Sequence, residues 1–272
     1  MGRLVGRVAL VTGASRGVGK GIALGLGEQG ATVYVTGRTE VGGSPTTPLD
    51  GAVQETAEEV TALGGRGVAI ACDHRDDEQT RQAVARVVAE TRRLDVLVNN
   101  VWGGYEYFWD GTEFWLEAGF WTAPIDRWDS MFQAGVRAHY VTSVVAASTM
   151  VAQGSGLIVN VSSDAAGKDD AGVSYGVAKA ATDRMVACMA HELREHGVTA
   201  VSLYPGLVRT ESVLRAAEYF DLSDSESPQY VGRAIAALAA DPEVMRHTGQ
   251  VVRTSELGQE YGFTDIDAPS GS

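Results

Sequence analysis

Tyr175 and Lys179 stand four residues apart in Ser174-Tyr175-Gly176-Val177-Ala178-Lys179. On a helix that spacing places them on one face, one turn apart. An ammonium held beside a phenol stabilises the phenolate and draws the tyrosine pKa down from about 10 towards neutrality. Tyr175 is therefore a candidate general acid/base and Lys179 the group that tunes it. The competing reading is an amphipathic helix with one aromatic residue and one surface lysine. The chain has only three lysines (Lys20, Lys168, Lys179) against nine tyrosines, so a chance Tyr-x-x-x-Lys is expected about 0.1 times.

A second group of residues could hold an anion. Thr12-Gly13-Ala14-Ser15-Arg16-Gly17-Val18-Gly19 follows the apolar run Arg7 to Thr12 and precedes a helical pattern carrying Ile22, Ala23 and Leu26. A further apolar run, Ala31 to Thr36, closes the unit. Strand, glycine-rich turn, helix and strand within about 30 residues form a βαβ unit with a nucleotide at its turn. The glycines let backbone approach a pyrophosphate, and the helix start offers free N–H groups and a favourable dipole.

The rest of the chain must position these groups. Its 272 residues with 44% hydrophobic and 21% charged content suit one large α/β domain. A net charge of −13 argues against a nucleic-acid surface. Cys72 and Cys188 are too few for a disulfide framework, no apolar run reaches membrane-spanning length, and the start has no signal-peptide layout. A cytoplasmic protein is expected, with no membrane or nucleic-acid partner and no metal at the site.

Further strands are expected at Val68–Cys72, Leu94–Asn100, Leu157–Val161, Val198–Leu203 and from Gly249. Between them come helices at Ala52–Leu63, Asp77–Thr91, Ile125–Gln153, Ser174–His196 and Pro228–Ala240. This alternation predicts a Rossmann-like doubly wound fold, a seven-stranded parallel sheet flanked by helices, in one domain over 1–272. Three segments depart from it: a turn-rich insertion near 41–51, an aromatic-rich loop at 101–124 and an acidic substrate-side segment at 211–227. All five tryptophans fall between Trp102 and Trp128. Past the end of a parallel strand, such a segment is expected to line an apolar or aromatic pocket, burial against another subunit being the alternative. The insertion is either a flap over the adenosine end or a surface loop, and the tail from Thr264 to Ser272 is expected to fray.

The glycine spacing Thr-Gly-x-x-x-Gly-x-Gly, with Tyr175-x-x-x-Lys179, resembles the short-chain dehydrogenase/reductase family from about Arg7 to Val252. The resemblance implies hydride transfer between a nicotinamide cofactor and a carbonyl or alcohol. Tyr175 would be the acid/base, Lys179 its partner and ribose ligand, and Ser162 the hydrogen-bond donor to the substrate oxygen. Ser162 lies thirteen residues before Tyr175, the family's spacing, with Ser163 as its rival. Gly13, Ser15, Arg16, Gly17, Val18 and Gly19 would hold the phosphates. Asp73 and His74 would lie at the adenine and Asn100 beside the ribose, with Pro205, Gly206, Val208 and Thr210 closing over the nicotinamide.

At the end of the second strand, Arg38 stands near Arg16 with no acid before Glu40. Two guanidiniums suit a 2′-phosphate, so NADP(H) is expected ahead of NAD(H). The resemblance also implies a homodimer or homotetramer through the helices at 125–153 and 174–196. One departure matters. The family's asparagine, which bends the long helix and holds a proton-relaying water, is replaced by Gly135 in Gly-x-Arg-x-His-Tyr. Glycine is expected to permit the same kink and leave room for that water. The substitution marks a particular branch of the family; it also keeps open a cofactor-binding member that turns over little or nothing.

Overall fold

The structure, a computed structural model, describes residues 2–43, 47–104 and 119–266. Seven strands form one parallel sheet, with continuous apolar runs making its buried inner members and partly exposed strands its two edges: β1 (Val8–Val11), β2 (Thr32–Gly37), β3 (Arg66–Ala71), β4 (Val96–Asn99), β5 (Gly156–Val161), β6 (Val198–Tyr204) and β7 (Val251–Arg253). Their order is β3-β2-β1-β4-β5-β6-β7. The chain leaves β1 for β2 on one side and later returns to β4 on the other. The crevice at that reversal, outside the carboxyl ends of β1 and β4, is where such sheets bind ligands.

Both faces of the sheet are covered, and strand alternation divides the core in two. Ala9 and Val11 face the cluster formed with α1 (Gly17–Glu28), α2 (Val53–Ala62), α8 (Pro228–Ala240) and α9 (Thr254–Tyr261). Val8 and Leu10 face the cluster formed with α3 (Asp77–Thr91), α5 (Ala138–Gln153) and α6 (Val173–Leu193). Among the described residues, the remaining short α-helices are α4 (Ile125–Met131) and α7 (Glu211–Arg215).

The structure departs from the sequence pattern in three places. The helix expected over Ile125–Gln153 is broken: α4 and α5 flank a π-helical stretch at Phe132–Arg137, with Gly135 inside it. Sequence periodicity could not show this, because a π turn adds one residue to a turn without changing residue types. Helix α9 follows β7 directly and was not expected. At the start of the tail expected to fray, Asp265 is anchored, accepting hydrogen bonds from the Ser227 amide at 2.8 Å and from its hydroxyl, and the rest of that tail, 267–272, lies outside the described residues. Tyr105, Tyr107, Phe108, Trp109, Phe114 and Trp115 lie outside the described residues, as does 44–46 of the insertion. Among the described residues, no helix is long and apolar enough to cross a membrane.

Candidate active site

Every strand that matters ends at one edge of the sheet. The turn from Gly13 to Gly19 joins β1 to α1, and the amide of Ala14 donates to Thr36 O of β2 at 2.9 Å. Gly17 sits at φ +59°, a left-handed conformation that a side chain would strain. Its N–H, exposed at the start of α1, donates to Glu211 Oε2 at 3.0 Å. This amide therefore already holds an anionic oxygen. Ser15 and Gly19 are buried and Val18 packs on the core. Asn100 braces the turn, its Nδ2 donating to the carbonyls of Thr12 (3.0 Å) and Gly13 (2.9 Å).

The two arginines separate in role. Arg16 donates to the carbonyls of Asp50 (3.1 Å) and Gly51 (2.9 Å) and to Thr39 Oγ1 (3.2 Å) and Thr47 Oγ1 (3.3 Å). The expected phosphate ligand is thus committed to tying down residues 47–51, which Arg215 also holds through Pro48 O at 2.9 Å. Burial pushes the Arg16 pKa down, Glu211 opposes this, and neighbouring Arg38 adds to it. Arg38 is exposed at the end of β2.

After β3, Asp73 is half-buried and gripped by the Arg75 guanidinium at 2.6–3.1 Å, which holds its carboxyl below the usual range against the opposing effect of burial. His74 does not face the crevice. Its ring is buried, with Nε2 2.7 Å from Thr36 Oγ1 and Nδ1 3.2 Å from Thr80 Oγ1. An inward strand-end position beside two threonine hydroxyls satisfies both ring nitrogens, so only its backbone could meet a ligand.

Burial pushes His74 down to about 4. An unfolded histidine takes up its proton near 6.5, so between those values the unfolded state binds more protons and stability falls as pH falls. We expect unfolding free energy to drop by about 3 kcal/mol from this group between pH 7 and pH 4. Urea titrations of the wild type and His74→Gln should show a flatter pH dependence in the variant. Equal slopes would refute this.

The chemistry gathers where β5 faces α6. Successive residues at a strand end point oppositely, and this decides between the two serines. Ser162 extends the ladder, its amide donating to Leu203 O at 2.9 Å, and its buried hydroxyl donates to Lys179 O at 3.4 Å. Ser163 points the other way, and its Oγ donates to the Tyr175 hydroxyl at 3.3 Å. The expected Ser162 is therefore corrected: Ser163 is the serine brought against Tyr175. Thirteen-residue spacing misled because the 3₁₀ turn Asp164–Gly167 and its connection to α6 set how many residues lie between.

Tyr175 and Lys179 do share a face of α6. Lys179 Nζ lies 5.6 Å from the Tyr175 ring centroid and donates to Val161 O at 3.4 Å. Lys179 is buried, and desolvation pushes it down to about 7 although Asp183 pulls upward. Sequence reasoning set Trp102 apart without placing it. Its ring is 5.5 Å from that of Tyr175, edge to face at 87°, and 3.9 Å from Lys179 Nζ. The other described tryptophans differ: Trp121 is 76% exposed, and Trp128 stacks on Phe132 at 4.2 Å.

Pro205 to Thr210 follows β6 as expected. Val208 pairs with Glu226 in an isolated bridge, and Thr210 caps α7 through Val213 N. Glu226 was missed, being one acid among many in an acidic segment. Its carboxylate accepts from Gly206 N at 3.1 Å and from Thr254 Oγ1, pinning the Pro-Gly segment to the start of α9. Burial pushes its carboxyl up. The described residues contain no cluster of three potential metal ligands.

Known proteins resemble this chain in sequence and in fold. The short chain dehydrogenase family pattern matches residues 7–218. The mouse protein "Dehydrogenase/reductase SDR family member 1" is 43% identical over 276 residues, covering 96% of this chain and 84% of the relative. A putative dehydrogenase from Xanthomonas campestris superposes with a TM-score of 0.78 at 26% identity, covering 96% of this chain and 91% of that one. A metagenomic short-chain oxidoreductase solved in complex with NADP does so at 0.72 and 28%, covering 92% and 98%. The chain belongs to the short chain dehydrogenase family of oxidoreductases, on the branch of dehydrogenase/reductase SDR family member 1.

Proposed function

We propose that the protein is an NADP(H)-dependent oxidoreductase interconverting a carbonyl and a secondary alcohol on an apolar or aromatic substrate. The observation that carries this reading is the facing pair Ser163 Oγ and Tyr175 OH, 3.3 Å apart, with buried Lys179 beneath the same phenol. When bound, the nicotinamide supplies or accepts the hydride. Ser163 donates a hydrogen bond to the substrate oxygen and offsets charge growing there. Tyr175 gives that oxygen its proton in reduction and removes it in oxidation. The Lys179 ammonium favours the phenolate form of Tyr175 and offers N–H donors to the cofactor ribose.

The residues present fit a dinucleotide. The Gly17 amide takes an anionic oxygen, here from Glu211, which a phosphate bound there would displace. At Gly19, a Cβ would fall 2.3 Å from Gly13 O and 2.4 Å from Asn100 Nδ2, so only glycine lets α1 begin this close to the turn. Exposed Arg38 is the residue we assign to a 2′-phosphate. An apolar substrate suits Trp102 at the site and the aromatic segment that follows it. Exposed Tyr140 and Val144 on α5, with Val173 and Val177 on α6, support a homo-oligomer through those helices.

The test is a screen of ketones, aldehydes and secondary alcohols followed by NADPH absorbance. Turnover of a class of these supports the reading, and tight NADPH binding with none turned over defeats it. Arg38→Ala should weaken NADPH about tenfold or more and leave NADH unchanged. Equal loss for both cofactors, read by fluorescence titration, would remove Arg38 from that role.

A further inference from the structure

Lys179 raises a physical problem. Its ammonium is buried, and in the described structure its hydrogen-bond acceptor is Val161 O, at a long 3.4 Å. The nearest carboxylate on its own helix, Asp183, accepts from the Tyr204 hydroxyl on Oδ2, and its buried Oδ1 receives no hydrogen bond, from Lys179 or any other described group. A buried cation with so little support loses its proton readily. What lies against it is an aromatic face: the Trp102 centroid is 3.9 Å from Nζ, well inside the range over which a ring quadrupole attracts a cation.

The ring can be there only because of another residue. A Cβ built at Gly135 would fall 2.6 Å from Trp102 Cζ3 and 2.7 Å from Cε3. The room expected beside Gly135 for a relaying water is therefore filled by the indole. Its approach is braced from α5, where buried His139 Nε2 lies 2.9 Å from the carbonyl of Val101, the residue before Trp102. We propose that Trp102 is a positioning residue for Lys179: its indole takes the space a side chain at 135 would need and lays its π face against the ammonium. Gly135 and Trp102 are then one device, in which a missing side chain admits a ring that holds the catalytic cation.

This inference deepens the proposed function and rests on it, but its test does not need turnover. Among the described residues, the titratable groups around Lys179 are Tyr175 and Asp183 on α6 and His139 on α5. His139 is pushed down to about 3, chiefly by burial, and stays neutral through the range tested. With three lysines in the chain, a ¹³Cε-lysine NMR titration reads Lys179 directly, assigned by its loss in Lys179→Arg.

Trp102→Leu, which keeps the site apolar but removes the π face, should lower the Lys179 pKa by about one unit. Trp102→Phe should restore most of that shift. Gly135→Ala should act like Trp102→Leu in the native background and have little effect beside Trp102→Phe, whose smaller ring clears the new methyl. Coincident Lys179 titrations for Trp102→Leu and wild type, or an equal Gly135→Ala shift in both backgrounds, would overturn the proposal. In kinetics, the alkaline limb of kcat should move with the NMR pKa. A shifted Lys179 titration in a protein that turns over nothing would uphold Trp102 and defeat the hydride-transfer reading instead.

Discussion

Tyr175→Phe should lower kcat by roughly 10³-fold, the scale expected when the proton-transferring group is lost. The NADPH Kd should change by less than about threefold. The substitution removes one oxygen and keeps the ring, so the edge-to-face contact with Trp102 and the aromatic cover over Lys179 persist. What disappears is the hydroxyl that Ser163 faces at 3.3 Å. Steady-state rates with the best substrate of the screen, beside a fluorescence titration with NADPH, separate the two effects. Near-normal turnover in this variant would sink the acid/base mechanism. A large loss of NADPH affinity would mean that the phenol oxygen serves the cofactor and not the proton.

The serine pair is the second decisive case, because neighbouring residues make opposite predictions. Ser163→Ala should cost about 10²–10³ in kcat, the loss seen when one donor to a developing oxyanion is removed. It should also cost a little stability, since Ser163 Oγ accepts from Ala165 N at 3.3 Å at the start of the 3₁₀ turn. Ser162→Ala should leave kcat near the native value and lower unfolding free energy by about 1 kcal/mol, the worth of its buried bond to Lys179 O. Kinetics together with urea denaturation distinguish the two. The reverse pattern, with Ser162→Ala the slow enzyme, would restore the assignment that sequence spacing favours.

Gly135 changes meaning in the folded protein. From sequence it is a lost asparagine with space beside it, and reintroducing the side chain is a natural way to ask whether the proton route is impaired. The structure gives a reason to expect harm instead, because any Cβ at 135 meets the Trp102 ring. Gly135→Asn should therefore gain activity only in a background where Trp102 has been made small.

Much of the molecule is legible before folding because its determinants are local. The βαβ unit is written in an apolar run, glycines at 13, 17 and 19, and a helical period, all within one short stretch. The Tyr175–Lys179 face follows from helix geometry alone. The family and the seven-stranded parallel sheet both follow from such patterns, and the structure and comparisons agree with them.

Tertiary structure decided the rest, and in each case the cause is a contact between residues far apart in the chain. Whether Ser162 or Ser163 meets Tyr175 depends on how the end of β5 packs on α6. Residue types cannot report this when the two candidates are identical neighbours on opposite faces of a strand. His74 turns inward because threonines on β2 and α3 offer it partners, and Arg16 is drawn to the 47–51 loop by carbonyls more than thirty residues away. Trp102 and Gly135 are complementary only once the ends of β4 and α4 are brought together. Local chemistry by itself set a tyrosine and a lysine one turn apart on one helix face; long-range packing decided which serine and which ring lie against them.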